Sequence, residues 1–282
     1  LVALFIALLM VGCGEDTKKP VGDSPESNQT SAETPPAKTD SSAEGKAFAI
    51  ADLSMEMLWV KPGTFEMGSP TTEGGRRSNE AEHNVTLTKG FYLGQYEVTQ
   101  TQWEKVMGDN PSHFKGANRP VEKVSWNDVT SFCEKLTALE REAGRLPAGM
   151  AYQLPTEAQW EYACRGGTKT TFSFGDELTS DQANIRGGPR ETTDVGQYAA
   201  NPWGFHDMHG NVFEWCQDYY VRDYQKPQPD RDPFGSPQFY PRVVRGGSGE
   251  DSSRRSRSAS RNAGDHDKGW AWNGFRVVRE LD

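Results

Sequence analysis

The sequence predicts one α+β domain, rich in loops and poor in regular elements, set behind an apolar leader and a polar tether. Three observations predict it. Glycine and proline number 29 and 17 of 282 residues and are joined by eight tryptophans, a composition that suits aromatic side chains packed under turns better than a helical bundle. Short strand-like runs recur along the chain, while strong helical periodicity is confined to two stretches. No sharp change of composition follows Phe48, so a single domain of about 230 residues is the simplest account.

The elements follow in order. Leu1 to Gly12 is almost wholly apolar, too short to span a bilayer and of the length of a signal-peptide core. A basic region is expected upstream of Leu1. The run ends in Met10-Val11-Gly12-Cys13, which resembles a bacterial lipobox with Met where Leu is usual. Residues 1–13 therefore predict a signal peptide ending in a lipidated Cys13; the alternative is a plain secretory signal with an incidental cysteine. Residues 14–47 are rich in Ser, Thr, Pro, Glu, Asp and Lys. They lack the apolar surface to fold alone and predict a disordered tether.

The folded domain is expected over 48–282. Met57–Val60 and Thr64–Met67 read as strands on either side of the Pro62-Gly63 turn, and Val85–Leu87 and Phe91–Leu93 as two more. Thr99 to Met107 fits a short helix. Ser125 to Ala143 is the clearest one: Ser125 and Asp128 form a capping box, and Val129, Phe132, Cys133, Leu136 and Leu139 recur at helical spacing. Thr156, with Gln159 three residues on, caps a helix over Glu157 to Cys164. Val212–Trp215, Val243-Val244 and Phe275–Val278 read as strands. The net charge of −9 argues against nucleic-acid binding, which needs a basic surface.

Seven segments in order carry a resemblance. They are Phe65-Glu66-Met67-Gly68-Ser69, Tyr96-Glu97-Val98-Thr99, Pro120 to Trp126, Leu154-Pro155-Thr156-Glu157 through Gly167, Gly204 through Trp215, Arg245-Gly246-Gly247-Ser248, and Gly274-Phe275-Arg276. Together they resemble the formylglycine-generating enzyme, or sulfatase-modifying factor, family over roughly residues 53 to 280. The resemblance implies a C-type-lectin-like α+β fold. It also implies structural calcium held by Asp207, the carbonyls of Gly210 and Val212, and Glu214, a hard-oxygen set in a tight turn. The alternative for that loop is Asp207 capping a turn and Glu214 facing an arginine. A second calcium site would begin at Asn184 and Ile185, with Asp194 a candidate for its later ligand.

One expected feature is missing. In the family, two cysteines that bind copper follow the Gly-Gly-Ser turn, whereas here Cys13, Cys133, Cys164 and Cys216 are the only cysteines and none lies beyond 216. Ser, Asp and Arg do not replace thiolate as soft-metal ligands, so copper is not expected. Cys164 and Cys216 either form a disulfide or remain, with Cys133, as buried thiols. His206 and His209 have metal-compatible spacing but are read as ordinary surface histidines. Arg254, Arg257 and Arg261 are candidates for gripping an anionic ligand, and Trp270 and Trp272, with Trp215, for stacking on a sugar or peptide. The competing roles are ion pairs and a buried aromatic core.

The sequence thus points to a lipid-anchored, extracytoplasmic module of a bacterial cell envelope. It binds membrane through its lipid and a protein, peptide or glycan through its domain, without catalysis. The rivals are an active protein-modifying enzyme of the same family and a structural envelope protein.

Overall fold

Capping boxes start all three α-helices of the described residues. Thr99, Ser125 and Thr156 each accept the backbone N–H three residues on, and the Gln102, Asp128 and Gln159 side chains reach back to the cap N–H. They open α1 (Gln100–Met107), α2 (Trp126–Glu142) and α3 (Glu157–Arg165). Gly108 and Gly166 end α1 and α3 in the left-handed conformation. Helix α2 buries Val129, Phe132, Cys133 and Leu136 but not Leu139, which is 46% exposed at the rim of its apolar stripe. Every residue of α3 is buried.

A computed structural model describes residues 45–222, 230–234 and 241–281 of the chain, all within one compact unit that spans residues 40–282. Cys13 and nearly all of the expected tether lie outside the described residues. Eleven strands are described: β1 (Phe48–Ile50), β2 (Met55–Val60), β3 (Gly63–Met67), β4 (His83–Leu87), β5 (Phe91–Gly94), β6 (Met150–Gln153), β7 (Phe213–Tyr219), β8 (Arg242–Arg245), β9 (Asn262–Gly264), β10 (Asn273–Gly274) and β11 (Val278–Leu281). One sheet has the order β1-β2-β5-β11-β6, a second β10-β7-β8-β9, and β3 pairs with β4 alone.

Strands β2 and β3 flank the Pro62-Gly63 turn yet do not pair with each other; β2 goes to β5 and β3 to β4. The strand expected at 275–278 begins only at Val278. Phe275 and Val277 instead enter the apolar cluster under α2, with Trp103, Phe132 and Trp215. Strands β1, β6 and β9, three or four residues each, carried too little alternation to be read. The expected loop-rich α+β, C-type-lectin-like fold is the one observed.

Candidate functional site

Helix α3 is the hub that positions the C-terminal third of the domain. Glu157 and Glu161 lie one turn apart and face arginines from distant segments. Arg261 forks onto Glu157 at 2.6 and 2.7 Å. Arg245 donates to Glu161 and to the Ser258 and Ser260 carbonyls, while Arg165 takes the other Glu161 oxygen and the Gly68 carbonyl. Trp160 donates its indole N–H to Glu214 at 2.8 Å, and Arg276 forks onto the same carboxylate at 2.6 and 2.7 Å. All these charges are buried. Such pairs cost desolvation and hold only because nearly every donor and acceptor is matched.

This pairing bears on the first calcium expectation. Both Glu214 oxygens accept from Arg276 or Trp160, so the expected ligand faces a cation instead. Asp207 Oδ2 accepts the Gly196 N–H at 2.7 Å. The Gly210 N–H is bonded to the Gly246 carbonyl, and the Val212 N–H to Glu97. Calcium does not fit this set while Arg276 occupies Glu214. At the second expected site, Asn184 Oδ1 is a buried acceptor with no hydrogen-bond partner, beside the Asn184-Ile185 turn that Gly188 closes by bonding to the Ile185 carbonyl. That oxygen suits a hard cation. Asp194 is half-buried, and among the described residues no cluster of three acidic, His or Cys side chains forms a metal site.

Three carboxylates, Glu97, Asp207 and Glu214, thus lie in the interior within reach of the Arg276 charge. Burial, then the charges of Asp207 and Glu214, pushes Glu97 well above the usual carboxylate range. Burial pushes Asp207 up to about 6, against the Gly196 N–H and Arg276.

The two histidines part company. His206 stacks on Tyr96 and bonds the Tyr198 carbonyl. His209, expected at the surface, is buried: Nδ1 lies 2.7 Å from the Ser256 carbonyl, and Nε2 meets the Ser173 N–H and hydroxyl with the Cys164 thiol at 3.8 Å. Nδ1 therefore carries the proton and Nε2 accepts. Burial pushes the imidazole down to about 4. A neutral folded-state histidine gives full stability above the unfolded value near 6.5, and loses it as pH falls toward 4. The loss attributable to His209 is on the order of 3 kcal/mol. Asp207 and Glu97 act oppositely, protonating earlier in the folded state, so a variant is needed to isolate the histidine. His209→Asn is expected to flatten the acid limb of unfolding free energy between pH 6.5 and 4. A His209 imidazole signal, identified by its absence from the variant, titrating near 6.5 in the native protein would contradict this.

The arginine run divides by position. Arg257 is buried, forked onto Glu80 at 2.7 and 2.8 Å and bonded to Glu73, and Arg261 is held by Glu157. Neither has a fork left for a ligand, which corrects the expectation for both. Arg254 is exposed, with its Nε on the Gly75 carbonyl. Trp215 is wholly buried and bonds the Val124 carbonyl, so it is core.

Trp270 and Trp272 do line a groove of about 680 Å³ next to the Arg245–Ser248 turn, together with Phe213, Arg77 and Arg186. Trp270 is 55% exposed. Trp272 packs against Phe114 and Gly249, where a Cβ would fall 2.5 Å from its ring. Arg77 and Arg186, which sequence reasoning missed, are fixed by Asn262 Oδ1 and the Glu250 carbonyl and have no carboxylate partner among the described residues. The buried Asn262 Nδ2, on the groove wall, has no partner. In the segment where the family's copper-binding cysteines would follow, the Ser248 hydroxyl donates to Asp251 Oδ2 at 2.7 Å and Arg255 holds Oδ1. Cys133, Cys164 and Cys216 are buried free thiols, so the Cys164–Cys216 disulfide is not formed. Burial pushes Cys164 up to about 12, leaving it unreactive as a nucleophile.

Comparison with known proteins agrees with this architecture. Chaperone protein LppX of Paenibacillus barcinonensis is 32% identical over 213 residues, 60% of this chain and 73% of that protein. The formylglycine-generating enzyme of Streptomyces coelicolor is 33% identical over 203 residues, 66% of this chain and 60% of the enzyme, so the match spans less than two thirds of that relative. The solved structure of PvdO from Pseudomonas aeruginosa superimposes with a TM-score of 0.73 at 30% identity, covering 84% of this chain and 99% of PvdO. The family described as sulfatase-modifying factor enzyme 1-like domain matches residues 47–281, nearly all of the described structure, and the chain belongs to that family.

Proposed function

We propose that this chain is a non-catalytic binding module of the bacterial cell envelope, anchored by lipid at Cys13, whose Trp270–Trp272 groove takes a peptide or glycan segment of a partner. One observation carries the reading: the groove keeps aromatic faces, two arginines without carboxylate partners among the described residues and an unpartnered Asn262 amide, while the place of the copper thiols is closed by the Ser248–Asp251–Arg255 hydrogen bonds. Aromatic faces stack on sugar rings or side chains, and fixed guanidinium and amide groups orient a polar backbone. That one relative is a chaperone favours a protein segment as the occupant. The apolar leader and Cys13 support export and anchoring. Calcium, if held, is structural and sits at Asn184 and Ile185.

The test has two arms. Peptide and glycan arrays probed with the full chain are expected to give hits that Trp270→Ala weakens about tenfold or more, as for an anchoring aromatic. In the second arm, a cysteine-containing sulfatase peptide incubated with the copper-treated chain is expected to keep its mass. Conversion of its cysteine to formylglycine would instead establish the enzyme reading.

A further inference from the structure

Most buried arginines of this domain are neutralised by carboxylates, as Arg165, Arg245, Arg257, Arg261 and Arg276 show. Arg76 and Arg254 differ. Each is pinned through Nε to a backbone carbonyl, Arg76 to Ser69 at 3.0 Å and Arg254 to Gly75 at 3.1 Å. Neither has a carboxylate partner among the described residues. The pins fix the direction of each guanidinium and leave its two terminal amino groups for another acceptor.

Both line one groove of about 830 Å³, whose wall is the Pro70–Arg76 loop and the Ser253–Arg257 segment. It is distinct from the tryptophan groove, and the two share no lining residue. Its other charges are engaged, Glu73, Arg257 and Lys169 by an opposite charge and Asp176 by hydrogen bonds alone. Glu73 pairs with Arg257, Lys169 with Glu66, and Asp176 Oδ1 takes the Thr171 N–H and hydroxyl. Two arginines fixed in one concavity, with terminal amino groups that meet no carboxylate among the described residues, offer a cradle for an anion.

The loop is shaped to hold them. The Gly75 carbonyl accepts from both Arg254 Nε and Arg257 Nη2. Gly75 has φ +82°, and a Cβ there would lie 2.7 Å from Arg254 Cγ, so glycine lets the arginine stem lie flat on the loop. The buried Arg257 thereby fixes the Gly75 carbonyl on which Arg254 rests.

We propose that this groove is an oxyanion site, in which Arg76 and Arg254 together grip a sulfate or phosphate group, with the Thr72 and Ser253 hydroxyls on the same wall completing its oxygen shell. Guanidinium forks match tetrahedral oxyanions, and charge-assisted bonds of this kind are the strong ones. The site is independent of the peptide or glycan reading of the tryptophan groove.

Isothermal titration of the full chain with inorganic phosphate, inorganic sulfate and glucose 6-sulfate tests it. Saturable one-to-one binding that weakens with added salt is expected. Arg76→Ala and Arg254→Ala are each expected to weaken it roughly tenfold or more, and Lys135→Ala, exposed on α2 and outside both grooves, to leave it unchanged. Gly75→Ala, which keeps both charges but displaces the Arg254 stem, is expected to weaken it too. Tighter binding of the ester than of the free ions identifies a sugar-borne group as the ligand, and the reverse identifies a small free anion. No saturable binding by the native chain, or equal binding by the double arginine variant, would overturn the proposal; thermal unfolding of each variant shows that it is folded.

Discussion

Replacing Arg276 by alanine is expected to lower unfolding stability by about 3–5 kcal/mol, as for other broken buried ion pairs. For a domain of this size that is a fall of roughly 10 °C in midpoint. Arg276 is fully buried, pairs with Glu214, and its charge also acts on Glu97 and Asp207. It also donates to the Gly94 and His206 carbonyls, so its loss orphans backbone acceptors as well as a carboxylate. The deficit should depend on pH in a defined direction. Without the guanidinium, Glu97 and Asp207, already raised by burial, protonate still more readily in the folded state than in the unfolded chain, and a raised folded-state value means stability is lost as pH rises. The variant should therefore approach the native protein at pH 5 and diverge from it at pH 8. Thermal or urea unfolding across that range checks this, and a deficit independent of pH would mean that the Arg276 charge does not act on these carboxylates as described.

Arg257→Ala should be comparably damaging, and Arg254→Ala, three residues earlier, nearly silent. Arg257 is 1% exposed and neutralises Glu80, itself wholly buried. Removing it leaves Glu80 and Glu73 facing each other without a cation, again at about 3–5 kcal/mol. Exposed Arg254 offers stability only its single bond to Gly75, so its loss is expected to stay within about 0.5 kcal/mol. Urea unfolding of the two variants side by side decides the matter. Equal destabilisation would contradict the division of this run into one inward and one outward arginine.

That division marks where reading the sequence stopped. The helix starts were legible because a capping box is local: donor and acceptor lie three residues apart, and Ser125, Thr156 and the Thr99 start are seen in the string itself. The absent thiols were legible by inspection. The roles of Arg257 and Arg261 were not, because their partners Glu80 and Glu157 are 177 and 104 residues away. The segment joining them is irregular, so no periodicity separates inward from outward side chains. Glu157-Ala158-Gln159-Trp160-Glu161 was legible as a family segment but not as the charge hub, since a helix buried on all sides has no polar face to betray its orientation. The calcium expectation at Glu214 met the same obstacle: Arg276 lies 62 residues further on. Trp270 and Trp272 were picked out as aromatics near a glycine-rich turn, though Trp272 is buried; Arg77 and Arg186 were not, because only folding brings them to the same wall.

The three unpaired cysteines have a practical consequence. Cys133 sits in the cluster beneath α2, whereas Cys164 and Cys216 sit in the one around α3 and β7. An alkylating reagent can reach any of them only when the surrounding shell opens. The labelling rate of each sulfur therefore times the breathing of its own region, and comparing them would reveal whether the two halves of the interior come apart together or in turn.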